Sequence, residues 1–193
     1  MKTDAVDDIL DQWSEERPEL ETDSLGVVIR ITSLSRAFLR QATEALAPLD
    51  MELFEYDVLS ALRRQGRPFA LPATGLARET GLSSGAMTNR IDKLELRGFV
   101  SRKADKSDRR AVIVSLTADG KKAIDEAIKL RLDVADESLQ GLSDRERNDL
   151  AALLRKVRLT GIPEAEEVSL RANSRPVVVH VNHGSARVAS PST

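Results

Sequence analysis

Cysteine is absent from the 193 residues. That excludes a disulfide framework, thiolate metal sites, cysteine nucleophiles and thiol-based redox sensing. Aromatic residues are scarce, with only Trp13, Phe38, Phe54, Tyr56, Phe69 and Phe99. Since 41% of the chain is still hydrophobic, the core must be aliphatic, which suits packed helices. Histidine occurs only at His180 and His183, near the C-terminus. The body therefore lacks the usual general base and any Ser-His-Asp arrangement, and no Gly-rich phosphate loop is present. The H-x-x-H pair has no third ligand nearby, so neither a metal site nor another cofactor is expected, and catalysis is not expected. Long apolar runs are missing too. The longest charge-free stretch, residues 176–186, holds 11 residues, too few to cross a bilayer. With an acidic start lacking a secretory pattern, the composition predicts a soluble cytoplasmic chain without a membrane partner.

Charge is present but unevenly placed. Residues 1–24 carry nine acids against Lys2 and Arg17, a net of −7. Residues 90–110 carry eight Lys or Arg against four acids, a net of +4. The overall −2 argues against nucleic-acid binding, but the local basic strip argues for it. The local charge decides, because phosphate contacts act within a Debye length of about 8–10 Å.

Hydrophobic spacing predicts a chain of helices. Val6, Ile9, Leu10 and Trp13 mark a short helix within residues 4–14, before Pro18. Val27, Val28, Ile31, Leu34, Phe38, Ala42 and Leu46 form a long stripe that Pro48 ends. Residues 53–64 form a further helix, closed by Gly66 and Pro68, and 73–80 a shorter one stopped by Gly81. Ser83 then offers an N-cap for a helix running to Arg97, with Gly98 as its break. The runs 99–102 and 111–116 are β-prone and flank the polar stretch 103–110, which reads as a hairpin with a charged tip. Thr117 caps a long helix from Ala118 to about Leu139, with Ile124, Ala127, Ile128, Leu132 and Ala135 expected inward. Ser143-Asp144-Arg145-Glu146 is a capping box opening a last helix that ends near Leu159. Residues 161–193, Ser/Ala/Val-rich with three prolines, read as a disordered tail.

Two short helices joined by a tight turn and followed by a basic hairpin form a winged helix-turn-helix. The fold expected is mainly α with a small β part. Helix 73–80 would cross the DNA backbone while helix 83–97 enters the major groove N-terminus first. Ser83, Ser84 and Gly85 are small enough to let that helix approach base edges. Thr88, Asn89 and Lys93 follow as donors to bases or phosphates. Met87, Ile91 and Leu94 fall on the opposite, core-facing side. The hairpin adds Arg102, Lys103, Lys106, Arg109 and Arg110 for phosphates or an adjacent minor groove. Any one piece could be a plain solvated helix or loop; their order makes double-stranded DNA the expected partner.

The stretch Ser107-Asp108-Arg109-Arg110-Ala111-Val112-Ile113-Val114-Ser115-Leu116-Thr117-Ala118-Asp119-Gly120 resembles the wing motif of the MarR family of bacterial transcription regulators. The resemblance covers about residues 24–159. It implies a homodimer reading a pseudo-palindromic operator, with a DNA-binding lobe at about 52–116 and dimerisation helices at about 24–47 and 118–159. Residues 1–23 would form an extra N-terminal helix before a winged-helix domain at 24–160. The apolar stripes fit a dimer, since a single winged helix would leave them exposed.

The segments Ile9-Leu10-Asp11-Gln12-Trp13, Arg17-Pro18-Glu19-Leu20 and Leu82 to Asp92 resemble the urate-responsive, PecS-like subgroup. That resemblance implies an attenuating ligand pocket at Trp13, Asp57, Arg64 and Arg90, with Arg102 relaying the change to the wing. Independently, Asp57 and Arg64 lie seven apart, on one helix face with about 10.5 Å of rise between them, too far for an i,i+4 pair. Each therefore needs another partner. Arg90, three after Met87 and four before Leu94, leans inward. Two arginines and an indole suit a flat anion, by bidentate hydrogen bonds and stacking. The plainer alternative is a structural Asp57–Arg90 ion pair with Trp13 plugging a junction. The expected function is a sequence-specific transcription regulator, a repressor released by a small anion such as urate. A responder to phenolic compounds or organic acids, a sequence-independent architectural DNA binder and a protein-interaction module that kept the fold are the competing readings.

Overall fold

A computed structural model describes residues 3–105 and 111–161. The chain opens with α1, Ala5–Glu16, whose start is fixed by a reciprocal cap. The Asp4 carboxylate accepts from the Val6 and Asp7 N–H groups, and Asp7 accepts from the Asp4 N–H. Next comes α2, Asp23–Leu46, against which α1 packs. Leu10 sits so close to Gly26 that a Cβ there would lie 2.7 Å from a Leu10 methyl. The Arg30 fork holds Asp4 at 2.9 Å and also Asp7. A single 3-10 turn at Ala47–Leu49 follows α2, because Pro48 cannot continue the helix.

The winged part follows. Helix α3, Leu53–Arg64, starts at a Glu52–Glu55 capping box. Strand β1, Ala70–Pro72, leads directly into α4, Ala73–Thr80, which Gly81 ends at φ 67°. Helix α5 spans Ser84–Leu96, with Ser83 as its N-cap as the sequence predicts. Strands β2, Val100–Ala104, and β3, Val112–Leu116, form the hairpin, in register from Val100 opposite Leu116 to Ala104 opposite Val112. The periodicity did not reveal β1, which pairs antiparallel with the other edge of β3, giving the order β1-β3-β2. Three residues ending in proline carry no readable alternation, and the partner Ser115 lies far along the chain.

Helix α6, Ala118–Ser138, begins at Thr117, whose hydroxyl accepts from the Gly120 N–H. Helix α7, Asp144–Gly161, begins at the expected Ser143–Glu146 box. One core joins these elements: Leu46, Val58, Leu59, Leu62, Leu76, Met87, Ile91, Leu94, Val100, Val114 and Ile124 are all buried. The lobe at 52–116 does not close by itself, since Leu46 of α2 and Ile124 and Ala127 of α6 complete its interior. Burial of each such side chain is worth about 1.5–3 kcal/mol.

The inward stripe of α6 stops halfway along. Leu132 and Ala135, expected to face inward, are exposed, Leu132 at 59%. At 21 residues the helix is about 31 Å long and outruns the small core. Helix α7 stands almost wholly exposed, Leu150, Leu153, Leu154, Val157 and Leu159 included. No described helix is long and apolar enough to cross a membrane. Of the tail expected to be disordered, 161–193, Gly161 closes α7, and 162–193, with His180 and His183, lie outside the described residues.

Candidate nucleic-acid interface and anion cleft

The face of α5 divides as its spacing predicts. Met87, Ile91 and Leu94 are buried, while Ser83, Ser84, Gly85, Thr88 and Asn89 are exposed. Ser83 accepts from the Ala86 N–H at 3.3 Å. A Cβ added at Gly85 would meet nothing within 4 Å, so the first turn of α5 is open to an approaching surface. Thr88 donates to the Ser84 carbonyl at 3.0 Å, leaving its oxygen lone pairs outward. Beside this turn runs a groove of about 210 Å³, walled by Pro72, Ala73 and Thr74, by Ser84 and Thr88, and by Val112. The exposed start of α5 and the wing strand thus border one concave surface.

Along the wing, strand alternation separates two neighbouring cations. Lys103, opposite Ile113, is exposed. Arg102, opposite Val114, turns instead to α5. It donates to Glu95 at 2.8 Å through Nε and to Asp92 at 2.6 Å through Nη1. That fork holds the Glu95 carboxyl below its ordinary range. Arg102 was expected both at the phosphates and as a relay; its guanidinium is committed to the acids of α5, which ties β2 to α5. Lys106, Arg109 and Arg110 lie outside the described residues. Lys93 places its ammonium 5.3 Å from the centre of the Phe54 ring.

Arg90 lies over the same ring at 4.8 Å, half-buried between α5 and α3. Burial pulls its pKa down, against the opposing fields of Asp57 and Glu52. Asp57, on α3, is half-buried too. Burial pushes its pKa up, and the charges of Arg90, Arg131 and Arg64 oppose that shift. Yet among the described residues Asp57 forms no ion pair with any of them, so the simple Asp57–Arg90 salt bridge is not made. Arg64 finds other partners, the Ser60 hydroxyl at 3.3 Å and Glu79 at 3.3 Å.

Trp13 is not gathered into this group within one chain. It is 44% exposed and lies beyond the Leu10–Gly26 contact, toward the start of α2. From Gly26 to the core residue Leu46 is about 30 Å of helix.

Sequence reasoning missed two arginines. Arg131 stands 5.7 Å from the Tyr56 ring centre, and its field reaches Asp57. The signal was present, because residue 131 falls on the stripe 124, 128, 135 where an apolar side chain is the rule. Arg97, at the end of α5, pairs with the buried Glu55 at 2.6 Å and donates to the Asp50 carbonyl at 2.7 Å. That contact pins the far end of α5 to the start of α3.

Comparison with known proteins agrees with this architecture. The MarR family model matches residues 52–112. The HTH-type transcriptional regulator PecS of Dickeya dadantii is 29% identical over 152 residues, covering 79% of this chain and 92% of that protein. The uncharacterised HTH-type transcriptional regulator YwaE of Bacillus subtilis is 31% identical, covering 77% and 84%. Among solved structures, a mutant of Escherichia coli MarR complexed with operator DNA superposes with a TM-score of 0.60. That pair shares 27% identity over 75% of this chain and 96% of the other.

Proposed function

This chain belongs to the MarR family of DNA-binding transcription regulators, and from that premise we propose a homodimeric repressor whose grip on a pseudo-palindromic operator is loosened by a small anion such as urate. The observation that carries the ligand reading is Asp57. It is a half-buried carboxylate surrounded by Arg64, Arg90 and Arg131, yet it pairs with none of them. With Arg64 already paired to Glu79, Arg90 and Arg131 outnumber Asp57 by one charge, and a flat anion can take the remaining donors of Arg90 and Arg64. Arg90 sits on the reading helix itself, so an anion drawn to it pulls on α5 from behind. Arg102 then carries the shift to the wing through Glu95 and Asp92. A ligand can do this only by binding the displaced arrangement more tightly than the DNA-bound one.

The dimer follows from apolar surface. Val27, Val28, Ile31, Leu34 and Phe38 on α2 and Leu150, Leu153, Leu154 and Val157 on α7 are exposed together, a load that one soluble subunit does not leave uncovered. In this reading α2 lies against the other subunit, and Trp13 reaches the Asp57 cluster from across the interface. Ser83, Ser84, Gly85, Thr88 and Asn89 read the operator, with Lys93, Lys103, Lys106, Arg109 and Arg110 on the phosphates.

The test is a titration of the chain's own upstream DNA at fixed salt, with and without urate, for the wild type, Trp13→Phe and Arg90→Ala. Urate should weaken wild-type binding at least tenfold and leave both variants unmoved. Tight binding that ignores urate in the wild type would sink the ligand assignment while keeping the DNA role. No preference over scrambled DNA would overturn the operator reading.

A further inference from the structure

We propose that Arg97 is a positioning residue for DNA reading, a fixed point at the end of α5 from which the free first turn of that helix is aimed; this rests on α5 being the helix that meets the operator, independently of any ligand. The two ends of α5 are held in different ways. Nη1 of Arg97 donates to the buried Glu55 carboxylate at 2.6 Å and to the Asp50 carbonyl at 2.7 Å. Its guanidinium lies 4.8 Å from the centre of the Phe99 ring. One turn earlier, Asp92 and Glu95 are held by Arg102 of β2. At the start of α5 the polar contacts stay within the helix. Ser83 accepts from the Ala86 N–H, and Thr88 donates to the Ser84 carbonyl. Among the described residues, no side chain from 83 to 89 hydrogen-bonds to another element. Met87 anchors this half by packing alone.

Packing resists pulling a side chain out of the core but resists a small rotation far less, since the hydrophobic effect has no direction. Charge-assisted hydrogen bonds fix angle as well as distance. The orientation of α5 is therefore set at its last turns. Ser84 lies 13 residues before Arg97. That is about 20 Å along the helix, so a tilt of about 5° moves Ser84 by about 1.7 Å. Such a shift exceeds the spread of lengths over which a hydrogen bond to a base edge survives. Lysines on phosphates follow it with their flexible stems. Loosening Arg97 thus costs base reading and spares phosphate contact.

The test selects a site from a random duplex library with the full-length wild type, then measures Kd for that site and for its scrambled version at fixed salt. Arg97→Met, Arg97→Lys, Glu55→Gln and Arg63→Met are compared with the wild type at a temperature where circular dichroism shows each one folded. Arg63 is the matched control. It pairs with Asp125 at 2.6 Å and stands 5.0 Å from the Phe69 ring centre, tying α3 to α6. Arg97→Met should lower the preference for the selected site about tenfold, the worth of one good base contact. Its affinity for scrambled DNA should change by less than about threefold, since only one charge is removed. Arg97→Lys keeps the charge but not the flat stacked guanidinium, and should fall between the two. Glu55→Gln should lower the preference as well, and decides the matter should Arg97→Met fail to fold. Arg63→Met should lower the melting temperature and leave the preference intact. An unchanged preference in the Arg97 and Glu55 variants would overturn the proposal. So would equal loss of both affinities, or a preference lost as fully in Arg63→Met. A library that yields no site would overturn the operator reading and take this proposal with it, an outcome distinct from the other three.

Discussion

Asp57 concentrates the electrostatic tension of the molecule in one side chain. Burial raises its pKa above the ordinary 3.8, and three arginine fields only partly offset that rise. Between 3.8 and the raised value, the folded state keeps a proton that the unfolded chain has released. Stability therefore falls as pH climbs through that window, and at neutral pH the ionised carboxylate weighs against folding. Asp57→Asn should raise the melting temperature by a few degrees at pH 7. The gap to wild type should close as pH falls toward 4, which thermal melts across that range would show. A melting temperature lowered at pH 7 would mean that the ionised carboxylate is held by a bond after all. The spacing of Asp57 and Arg64 was readable because helical geometry follows from the chain alone. Glu55 was not, since what makes it unusual is a neighbour on another helix, and Arg131 showed in the sequence only as a charge on an apolar stripe.

At the scale of elements, the join between wing and α6 holds the closest glycine contact among the described residues. Thr117 donates to the Gly98 carbonyl at 2.7 Å, and Gly120 faces the Phe99 backbone so closely that a Cβ would lie 1.9 Å from its oxygen. Backbone cannot swing aside as the tip of a side chain can. Gly120→Ala is expected to cost about 3 kcal/mol, measurable by urea unfolding. Gly26, where the tips of the Leu10 and Arg30 side chains stand in the way and no backbone does, should tolerate the same change far better. The helices were legible because each carries its own period and caps. Strand β1 was not, for its only support is pairing with β3. The inward stripe read along α6 ran past the point where the core ends, because period reports a face and not what lies opposite it.

For the whole molecule, α7 carries the argument. A helix of 18 residues with nearly every side chain exposed gains little from its own chain, and most helical stability comes from packing. Leu153→Glu, placing a charge where 62% of the leucine is now exposed, should shift the protein to monomer by light scattering. It should also cut operator affinity at least tenfold, since two half-sites are then no longer gripped together. A dimer that withstands the change would move the interface elsewhere. The sequence showed the amphipathic stripes and read them as fitting a dimer, and within one chain they stand exposed.

The uneven charge described at the outset has a consequence for how the molecule travels. The acidic helix α1 is clipped by Arg30 to the early part of α2, while Lys93 and Lys103 stand exposed on α5 and β2, Lys93 near the far end of α2. Near a polyanion such a body feels a torque, although its net charge of −2 gives no overall pull. Its acidic end is turned away and its wing forward before any contact forms, so fewer encounters are wasted on the wrong face.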